Sequence, residues 1–347
     1  MNRRVFLECA AGTLGAASVT PAATGLGWRS GVGAEAGTLR EAAQKRGLLV
    51  GSAISTGQIA QQDVAQLIAQ QCSIVVAEND MKWRWTQPDE NRFDFERADE
   101  IMAFAEKNGL SVRGHNLCWY ESLPEWFEKT ATKENAARLL RKHIMVVAGR
   151  YAGRIQSWDV VNEAIEIKDG RPDGLRDSIW MRLLGPEYLA IAFHTAAETD
   201  PKARLTYNDF GLEGDTPYQA ERRKVALALL RWFRENNIPI HALGLQSHLH
   251  PSSSGNFSGL NAFIDQVGKL GLDVYVTELD VKAGESEGAG VYKNYLQNVV
   301  RHPSVKAVLT WGLTSRGRQH PERLLPFDAS LEPTKAFTAM REALWKA

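Results

Sequence analysis

Residues 98–115 of the chain, ADEIMAFAEKNGLSVRGH, contain the pattern that decides the fold. Ala98–Asn108 carries apolar residues at helical spacing, and Leu110–His115 is a short run of the kind that forms a buried strand. The same alternation of helix-like and strand-like segments continues to the C-terminus. Strands that are each followed by a helix require a parallel sheet with right-handed crossovers.

Eight strand-like runs are predicted in all. They are Leu48–Ala53, Ser73–Glu78, Leu110–His115, Ser157–Asn162, Arg204–Asn208, Ala242–Ser247, Asp273–Glu278 and Val305–Trp311. The helix-like stretches between them include Asp63–Gln71, Ala98–Asn108, Lys133–Tyr151, Tyr188–Thr199, Gln219–Asn236 and Leu260–Leu270. Eight such pairs in about 300 residues fit a closed (β/α)8 TIM barrel better than an open sheet. No G-x-G-x-x-G follows the first strand, which argues against a dinucleotide fold. We therefore predict one (β/α)8 domain over residues 31–347.

Residues 1–30 have the pattern of a signal peptide rather than of folded structure. Arg3-Arg4 precedes a small apolar run from Ala10 to Val19, and the paired arginines suggest twin-arginine export. The run is too short and too rich in Gly and Ala for a membrane span. Glu8 is unusual inside a signal peptide, so the exact export route stays open. We expect a protein exported to the periplasm or secreted.

The bulk composition excludes some partners. The chain has 41 basic and 41 acidic residues, so it offers no electrostatic basis for binding nucleic acid or an anionic membrane. Ten tryptophans suggest carbohydrate, because sugar rings stack on indole, but extra core aromatics explain them equally well.

Two cysteines, Cys72 and Cys118, follow the predicted signal peptide. Cys72 opens one predicted strand and Cys118 lies beyond the end of the next, so we expect different heights in the sheet and two free thiols.

Polar or aromatic residues end seven of the predicted strands. They are Glu78-Asn79, His115-Asn116, Asn162-Glu163, Asn208-Asp209, Gln246-Ser247-His248, Glu278 and Trp311. The C-terminal strand ends of a (β/α)8 barrel surround one mouth, where active sites lie. The sequence therefore predicts a functional site at this rim.

Two of these residues, Glu163 and Glu278, suggest glycosidic bond hydrolysis. The reaction needs one carboxylic acid to protonate the leaving oxygen and one carboxylate on the opposite face. Strands four and seven place the two glutamates across the mouth from each other, and Asn162 is expected to reach the neighbouring hydroxyl. Asp280 points to the same side as Glu278 if that strand continues, and His248 is placed to bridge them.

Several motifs together resemble glycoside hydrolase family 10, the family best known for endo-β-1,4-xylanases. The motifs are Glu78–Trp83, Gly114–Trp119, Trp158–Glu163, Tyr207–Asp209, Gln246–His248, Thr277–Asp280 and Trp311-Gly312. The similarity runs from about Leu48 to Phe337 and implies a retaining double displacement on a polysaccharide, without cofactor or metal. In it Glu163 is the proton donor and Glu278 the nucleophile, with carboxyl groups about 5–5.5 Å apart.

The resemblance also implies sugar-binding roles. Glu78, Asn79, Lys82 and His115 would bind hydroxyls on the non-reducing side, and Gln246 and His248 would contact the reacting sugar and the nucleophile. Trp119 and Trp311 would line the subsite of the reacting sugar. We expect the enzyme to be a monomer.

The chain departs from the family pattern at three places. Tyr120 replaces a second histidine, Gly211 replaces an asparagine, and the stretch after Trp311-Gly312 lacks a tryptophan that roofs the reacting sugar. Arg316 and Arg318 stand near that place; they are either solvated or bind a carboxylate on a decorated sugar. An acidic or branched β-glycan or exopolysaccharide is therefore an alternative substrate.

Two other functions remain open from the sequence. A carbohydrate-binding protein without catalysis is one, although a binder has no need for both glutamates with their Asn and His supports. A metal-dependent barrel hydrolase is the other, suggested by His248-x-His250, although Pro251 follows at once.

Overall fold

Eight parallel strands close into a barrel in the part of the chain that the structure describes, residues 37–253, 255, 257–317 and 322–345 of a computed structural model. The strands are β1 Leu49–Ile54, β2 Ile74–Ala77, β3 Ser111–Cys118, β4 Ser157–Asn162, β5 Arg204–Asp209, β6 Ala242–Leu245, β7 Asp273–Lys282 and β8 Val305–Thr310. Each strand pairs in parallel with the next, and β8 pairs with β1 to close the barrel. The predicted (β/α)8 fold is confirmed. The predicted signal peptide, residues 1–30, lies outside the described residues.

One long helix follows each strand. These helices are α1 Gln62–Gln71, α2 Glu96–Lys107, α3 Ala136–Arg150, α4 Glu187–Thr199, α5 Pro217–Glu235, α6 Ser258–Lys269, α7 Glu285–Val299 and α8 Lys335–Trp345. Shorter helices lie at Leu39–Gln44, Thr56–Ile59, Trp83–Thr86, Glu125–Thr130 and Ile179–Leu184, with 3-10 turns at Ile167–Asp169 and Pro251–Ser253. No helix in the described ranges has the length and apolar character needed to cross a bilayer.

Apolar side chains fill both faces of the barrel wall. All four residues of β2 are buried, as expected for a parallel strand covered on both sides. One core packs the helices against the outside of the barrel. A second, smaller core fills the barrel interior with Ala53, Ile74, Val76, Ala242, Tyr275, Ala307 and Leu309. The interior is thus packed, and the polar strand ends lie at one mouth above it.

Two strands run further than their sequence predicted. β7 continues past Glu278 to Lys282, because Leu279 and Val281 are buried and two short strands pair with the extension. These are His248–Leu249, parallel to β7, and Arg323–Leu324, antiparallel to it. β3 continues past His115 to Cys118, where Leu117 and Cys118 are also buried.

The positions predicted for the two cysteines relative to the strands were wrong. Cys72 caps the C-terminus of α1 instead of opening a strand, and Cys118 is the last residue of β3 rather than lying beyond it. Both thiols are nevertheless free, as predicted, and both are buried.

Gly114 allows β3 and β4 to approach each other closely. The two strands pair Gly114 with Trp158, and a Cβ added at Gly114 would lie 2.0 Å from the indole. We expect Gly114→Ala to lower the free energy of unfolding by about 2–3 kcal/mol, because the buried indole must be displaced.

Gly290→Ala provides the matched control for this prediction. Gly290 lies inside α7 with no atom within 4 Å of the added Cβ, so alanine there should stabilise by up to about 1 kcal/mol. Denaturant unfolding of both variants checks the pair; a Gly114→Ala protein as stable as the parent would contradict the close packing.

Candidate active site

The C-terminal mouth of the barrel holds a cavity of about 440 Å³. Its lining contains nine of the residues predicted from sequence: Lys82, His115, Trp119, Asn162, Glu163, Gln246, His248, Glu278 and Trp311. Glu121, Phe210, Gly211, Glu213 and Gln219 complete the lining. Asn79 lines a neighbouring cavity that shares Lys82, Trp119 and Glu121 with the first. Of the other predicted residues, Asp280 lies behind His248, and Glu78 directly follows β2.

Glu163 directly follows β4 and has a left-handed backbone conformation, with φ of 59°. Its amide donates to the Asn208 carbonyl at 2.9 Å. One carboxylate oxygen accepts hydrogen bonds from Asn162 Nδ2 at 3.0 Å and from Gln246 Nε2 at 2.9 Å. A left-handed conformation is unusual for a glutamate, and such residues cluster at functional sites. Two amide groups therefore hold this carboxylate at the edge of the cavity.

Glu278 is buried within β7, and each of its carboxylate oxygens is hydrogen-bonded. Oε1 accepts from Asn208 Nδ2 at 2.8 Å, and Oε2 lies 3.2 Å from His248 Nε2. Burial opposes ionisation of Glu278, but hydrogen bonds from His248 and Asn208 and the charges of His115 and His248 outweigh it and lower the pKa to about 2. Glu278 is a carboxylate across the neutral pH range.

His248 bridges Glu278 and Asp280. Its Nδ1 lies 3.0 Å from Asp280 Oδ1, while its Nε2 faces Glu278. Burial disfavours the charged imidazole, but the carboxylates of Asp280 and Glu278 outweigh that effect and raise the pKa of His248 to about 10. At neutral pH the imidazolium therefore donates a hydrogen bond to each carboxylate.

Asn208, at the end of β5, connects the two halves of the site. Its Nδ2 donates to Asn162 Oδ1 and to Glu278 Oε1, both at 2.8 Å. Thr277 Oγ1 in turn donates to Asn208 Oδ1 at 2.7 Å. A chain of amides thus joins the surroundings of Glu163 to Glu278. The sequence marked Asn208 as a strand-end residue but did not predict this contact.

A buried ion pair supports the floor of the cavity. His115 Nδ1 lies 2.9 Å from Asp159 Oδ2, and the other Asp159 oxygen is in contact with the Arg113 guanidinium. All three residues are at most 2% exposed, and Arg113 also lies over the Tyr275 ring in the barrel interior. Arg113 and Asp159 were missed from the sequence, although both belong to quoted segments. The available signal was a charged residue inside each of two buried strands.

Lys82 lies between the cavity and its neighbour. Its Nζ donates to Asn79 Oδ1 at 2.9 Å and lies 5.0 Å and 5.8 Å from the ring centroids of Trp119 and Trp311. Burial lowers the pKa of Lys82, whereas four nearby glutamates, foremost Glu278, oppose that shift.

Tyr120 packs beneath Arg176, which donates to the Glu163 carbonyl at 2.8 Å. Burial, followed by the charge of Glu163, raises the pKa of Tyr120, so its hydroxyl stays neutral where the family has a histidine.

The arginine suggested for binding an acidic sugar is engaged elsewhere. Arg316 Nη1 donates to Asp63 Oδ2 at 2.6 Å, and its Nε donates to the Ala329 carbonyl at 2.7 Å. It is not part of the cavity lining. Arg318 lies outside the described residues.

The two histidines of the His248-x-His250 pair face different partners. His250 Nδ1 contacts Ser252 Oγ at 2.9 Å, while His248 faces Glu278 and Asp280. Within the described residues, no group of three or more His, Cys, Asp or Glu side chains is arranged to hold a metal ion.

Known proteins share both the sequence pattern and this barrel. The model of glycosyl hydrolase family 10 matches residues 38–343. Endo-1,4-beta-xylanase B of Thermotoga neapolitana is 30% identical over 337 residues, which are 92% of this chain and 95% of the relative. Endo-1,4-beta-xylanase B of Paenibacillus barcinonensis is 39% identical over 245 residues, covering 69% and 70% of the two chains.

A solved structure agrees with these relatives. Xylanase 10B from Thermotoga maritima has a TM-score of 0.80 and 30% identity, covering 88% of this chain and 98% of its own. The family model spans nearly the whole described barrel, including every residue of the cavity. The chain belongs to glycosyl hydrolase family 10.

Proposed function

We propose that the protein is a retaining endo-1,4-β-xylanase in which Glu163 is the acid/base and Glu278 the nucleophile. The observation that carries the proposal is the pair of carboxylates in one cavity with contrasting surroundings. Glu278 is buried and held ionised by His248 and Asn208, whereas Glu163 is half-buried and accepts only amide hydrogen bonds. Retaining hydrolysis needs such a difference between its two carboxyl groups. The names of the relatives support xylan as the substrate.

In the first step, a Glu278 oxygen attacks the anomeric carbon and the glycosidic C–O bond breaks. The leaving oxygen takes the proton of Glu163, so that the aglycone departs as a neutral alcohol. The sugar remains on Glu278 as a glycosyl ester with inverted configuration. Asn162 is proposed to bind the hydroxyl beside the reacting carbon, where hydrogen bonds strengthen as positive charge develops.

In the second step, Glu163 takes a proton from a water molecule that attacks the same carbon from the face the aglycone left. The ester bond breaks, Glu278 is restored as a carboxylate, and the product has the original configuration. Throughout both steps, His248 and Asn208 orient the Glu278 carboxylate through one oxygen each.

The other predicted site residues are proposed to bind the polysaccharide. Lys82, His115, Glu78 and Asn79 would hold hydroxyls on the non-reducing side, and Trp119 and Trp311 would pack against the reacting sugar. Gln246 contacts Glu163 directly, so we assign it to orienting the acid/base as well. The proposed substrate is an extracellular polysaccharide. We therefore also propose that residues 1–30 direct export and that the enzyme acts as a monomer.

Product stereochemistry tests the proposal. When linear xylan is hydrolysed in an NMR tube, the β-anomer of the new reducing end should appear first and then mutarotate to the equilibrium mixture. Internal cleavage should release a series of short oligosaccharides from the start. Initial formation of the α-anomer, or no hydrolysis of any β-1,4-linked glycan, would overturn the proposal.

The charges of the cavity favour unbranched, neutral xylan over xylan that carries acidic side groups. Among the described residues, the cavity lining has four glutamates, Glu121, Glu163, Glu213 and Glu278, against two cationic groups, Lys82 and the His248 imidazolium. With Arg316 paired to Asp63, no arginine in the described part of the chain lines the cavity to bind a uronic acid side group. We expect kcat/KM on unbranched xylan to equal or exceed that on glucuronoxylan of similar length.

Glu121→Gln tests the origin of this preference. Glu121 lines both cavities, and removing its charge should raise kcat/KM on glucuronoxylan about threefold at low salt, with little change on unbranched xylan. Glu125→Gln, which removes an exposed carboxylate paired with Lys129, is the control. A wild-type enzyme that prefers glucuronoxylan would contradict this prediction and support the acidic-glycan alternative.

A further inference from the structure

Arg323 lies behind the proposed nucleophile, outside the substrate cavity. The short strand Arg323–Leu324 pairs with the extension of β7, Arg323 opposite Lys282 and Leu324 opposite Val281. Tyr292 of α7 anchors this strand by donating to the Leu324 carbonyl at 2.9 Å. The antiparallel pairing brings the Arg323 side chain to Asp280, two residues before Lys282.

Two cationic groups converge on one oxygen of Asp280. Arg323 Nη1 donates to Asp280 Oδ1, and His248 Nδ1 lies 3.0 Å from the same atom. Arg323 Nη1 lies 3.4 Å from His248 Nδ1, so the guanidinium and the imidazole are side by side. Asp280 itself is fully buried, whereas Arg323 is 28% exposed.

The contacts form a row of alternating charges that starts at the nucleophile. Glu278 is negative, His248 positive, Asp280 negative and Arg323 positive. Without Arg323, the buried part of the row would carry one uncompensated negative charge. A buried excess charge is relieved most easily by taking up a proton, and both carboxylates of the row compete for it.

The structure assigns to Arg323 a positioning role: by pairing with Asp280 it holds His248, and through it Glu278, in the orientation needed for attack. The inference rests on the proposed function of Glu278 as nucleophile. Nothing in the sequence motifs pointed to Arg323, because it follows a stretch that departs from the family pattern.

Other titratable groups face this row, but none replaces Arg323. His115 from β3 and Lys82 from the loop after β2 act on Glu278, at the opposite end of the row from Asp280. Glu163, after β4, also acts on Lys82.

Two further groups approach from the other side. Glu213, after β5, is a carboxyl group that faces His248. Tyr292 of α7 is near Asp280, and burial raises its pKa well above the usual range, so it is neutral. Among the described residues, Arg323 and His248 are thus the two cations that contact Asp280.

The test compares Arg323→Met with Arg323→Lys and with a charge-matched control, Lys282→Met. Lys282 is the exposed register partner of Arg323 and carries the same charge without touching Asp280. The first measurement is the titration of the Glu278 carboxyl carbon by 13C NMR in protein labelled at glutamate carboxyls, with the signal assigned by its loss in Glu278→Gln. The second is kcat and KM on linear xylan between pH 4 and pH 8.

In Arg323→Met, we expect the Glu278 titration to move up by about one pH unit. kcat should fall about ten- to a hundredfold with KM nearly unchanged, because Arg323 does not line the substrate cavity. Arg323→Lys should recover much of both effects, and Lys282→Met should show neither.

A purely structural role for Arg323 would lower the melting temperature of Arg323→Met without moving the Glu278 titration, and that result would overturn the inference. The inference would also be overturned if Lys282→Met shifted the Glu278 titration as strongly as Arg323→Met does. Because the NMR titration does not depend on turnover, it stands even if the wild-type protein fails to hydrolyse xylan. That failure would count against the proposed function alone.

Discussion

Replacing Glu278 by alanine is expected to reduce kcat on linear xylan by about 10⁵-fold or more, with retained folding. The side chain supplies the atom that bonds to the sugar, so no neighbouring group substitutes for it in the double displacement. Its loss also leaves Asn208 Nδ2 and His248 Nε2 without their shared carboxylate. Initial-rate assays at high enzyme concentration, with circular dichroism to verify folding, measure the effect.

Azide distinguishes loss of the nucleophile from general damage to the site. In Glu278→Ala, the space left by the carboxylate lies on the α-face, so azide attack there should give an α-glycosyl azide from an activated aryl β-xyloside. Glu287→Ala, which removes an exposed carboxylate in the first turn of α7, should retain full activity. A Glu278→Ala protein with near-normal retaining hydrolysis would refute the assignment.

Replacing Glu163 by alanine should lower kcat/KM on xylan by about 10²- to 10⁴-fold. The loss should depend on the leaving group. An aryl β-xyloside with an acidic phenol needs no proton from the enzyme, so its first step should be nearly normal and a burst of phenol should be seen. The glycosyl ester on Glu278 would then accumulate, because no base activates water for the second step.

The same variant has an azide signature opposite to that of Glu278→Ala. Azide should attack the accumulated ester from the β-face, accelerate turnover and yield a β-glycosyl azide. Gln246→Ala, which removes one of the two side-chain hydrogen bonds to Glu163 together with a proposed contact to the sugar, should show a smaller loss on xylan than Glu163→Ala. Equal losses on substrates with good and poor leaving groups would show that Glu163 is not the acid.

The sequence predicted the barrel well because its signals are local. Each buried parallel strand reads as an apolar run, each helix as an amphipathic one, and the polar residue that ends a strand marks the mouth. The start and end of β4 were predicted correctly, Ser157–Asn162, and with them the position of Glu163. The nine predicted residues in the cavity follow from this regularity and from the family resemblance.

What the sequence missed depends on pairing between distant segments. β7 runs on to Lys282 because Arg323–Leu324, about forty residues later in the chain, pairs with it. In the sequence, Arg113 and Asp159 are single charged residues within two otherwise apolar strands. Their ion pair forms only because β3 and β4 lie side by side in the barrel. Arg316 looked available for a ligand, and only the folded chain shows that Asp63 holds it.

The amide of Asn208 has a consequence for anyone who wishes to reshape this enzyme. Because it touches both Asn162 and Glu278, a library that varies position 208 would perturb both halves of the catalytic cycle at once. Gly211 lies on the cavity wall and contacts neither glutamate, although its left-handed φ restricts its replacements largely to asparagine and aspartate. Tyr120 lines the neighbouring cavity and is linked to Glu163 only through Arg176. Selection for new glycan preferences should therefore begin at positions 120 and 211 and leave Asn162 and Asn208 unchanged.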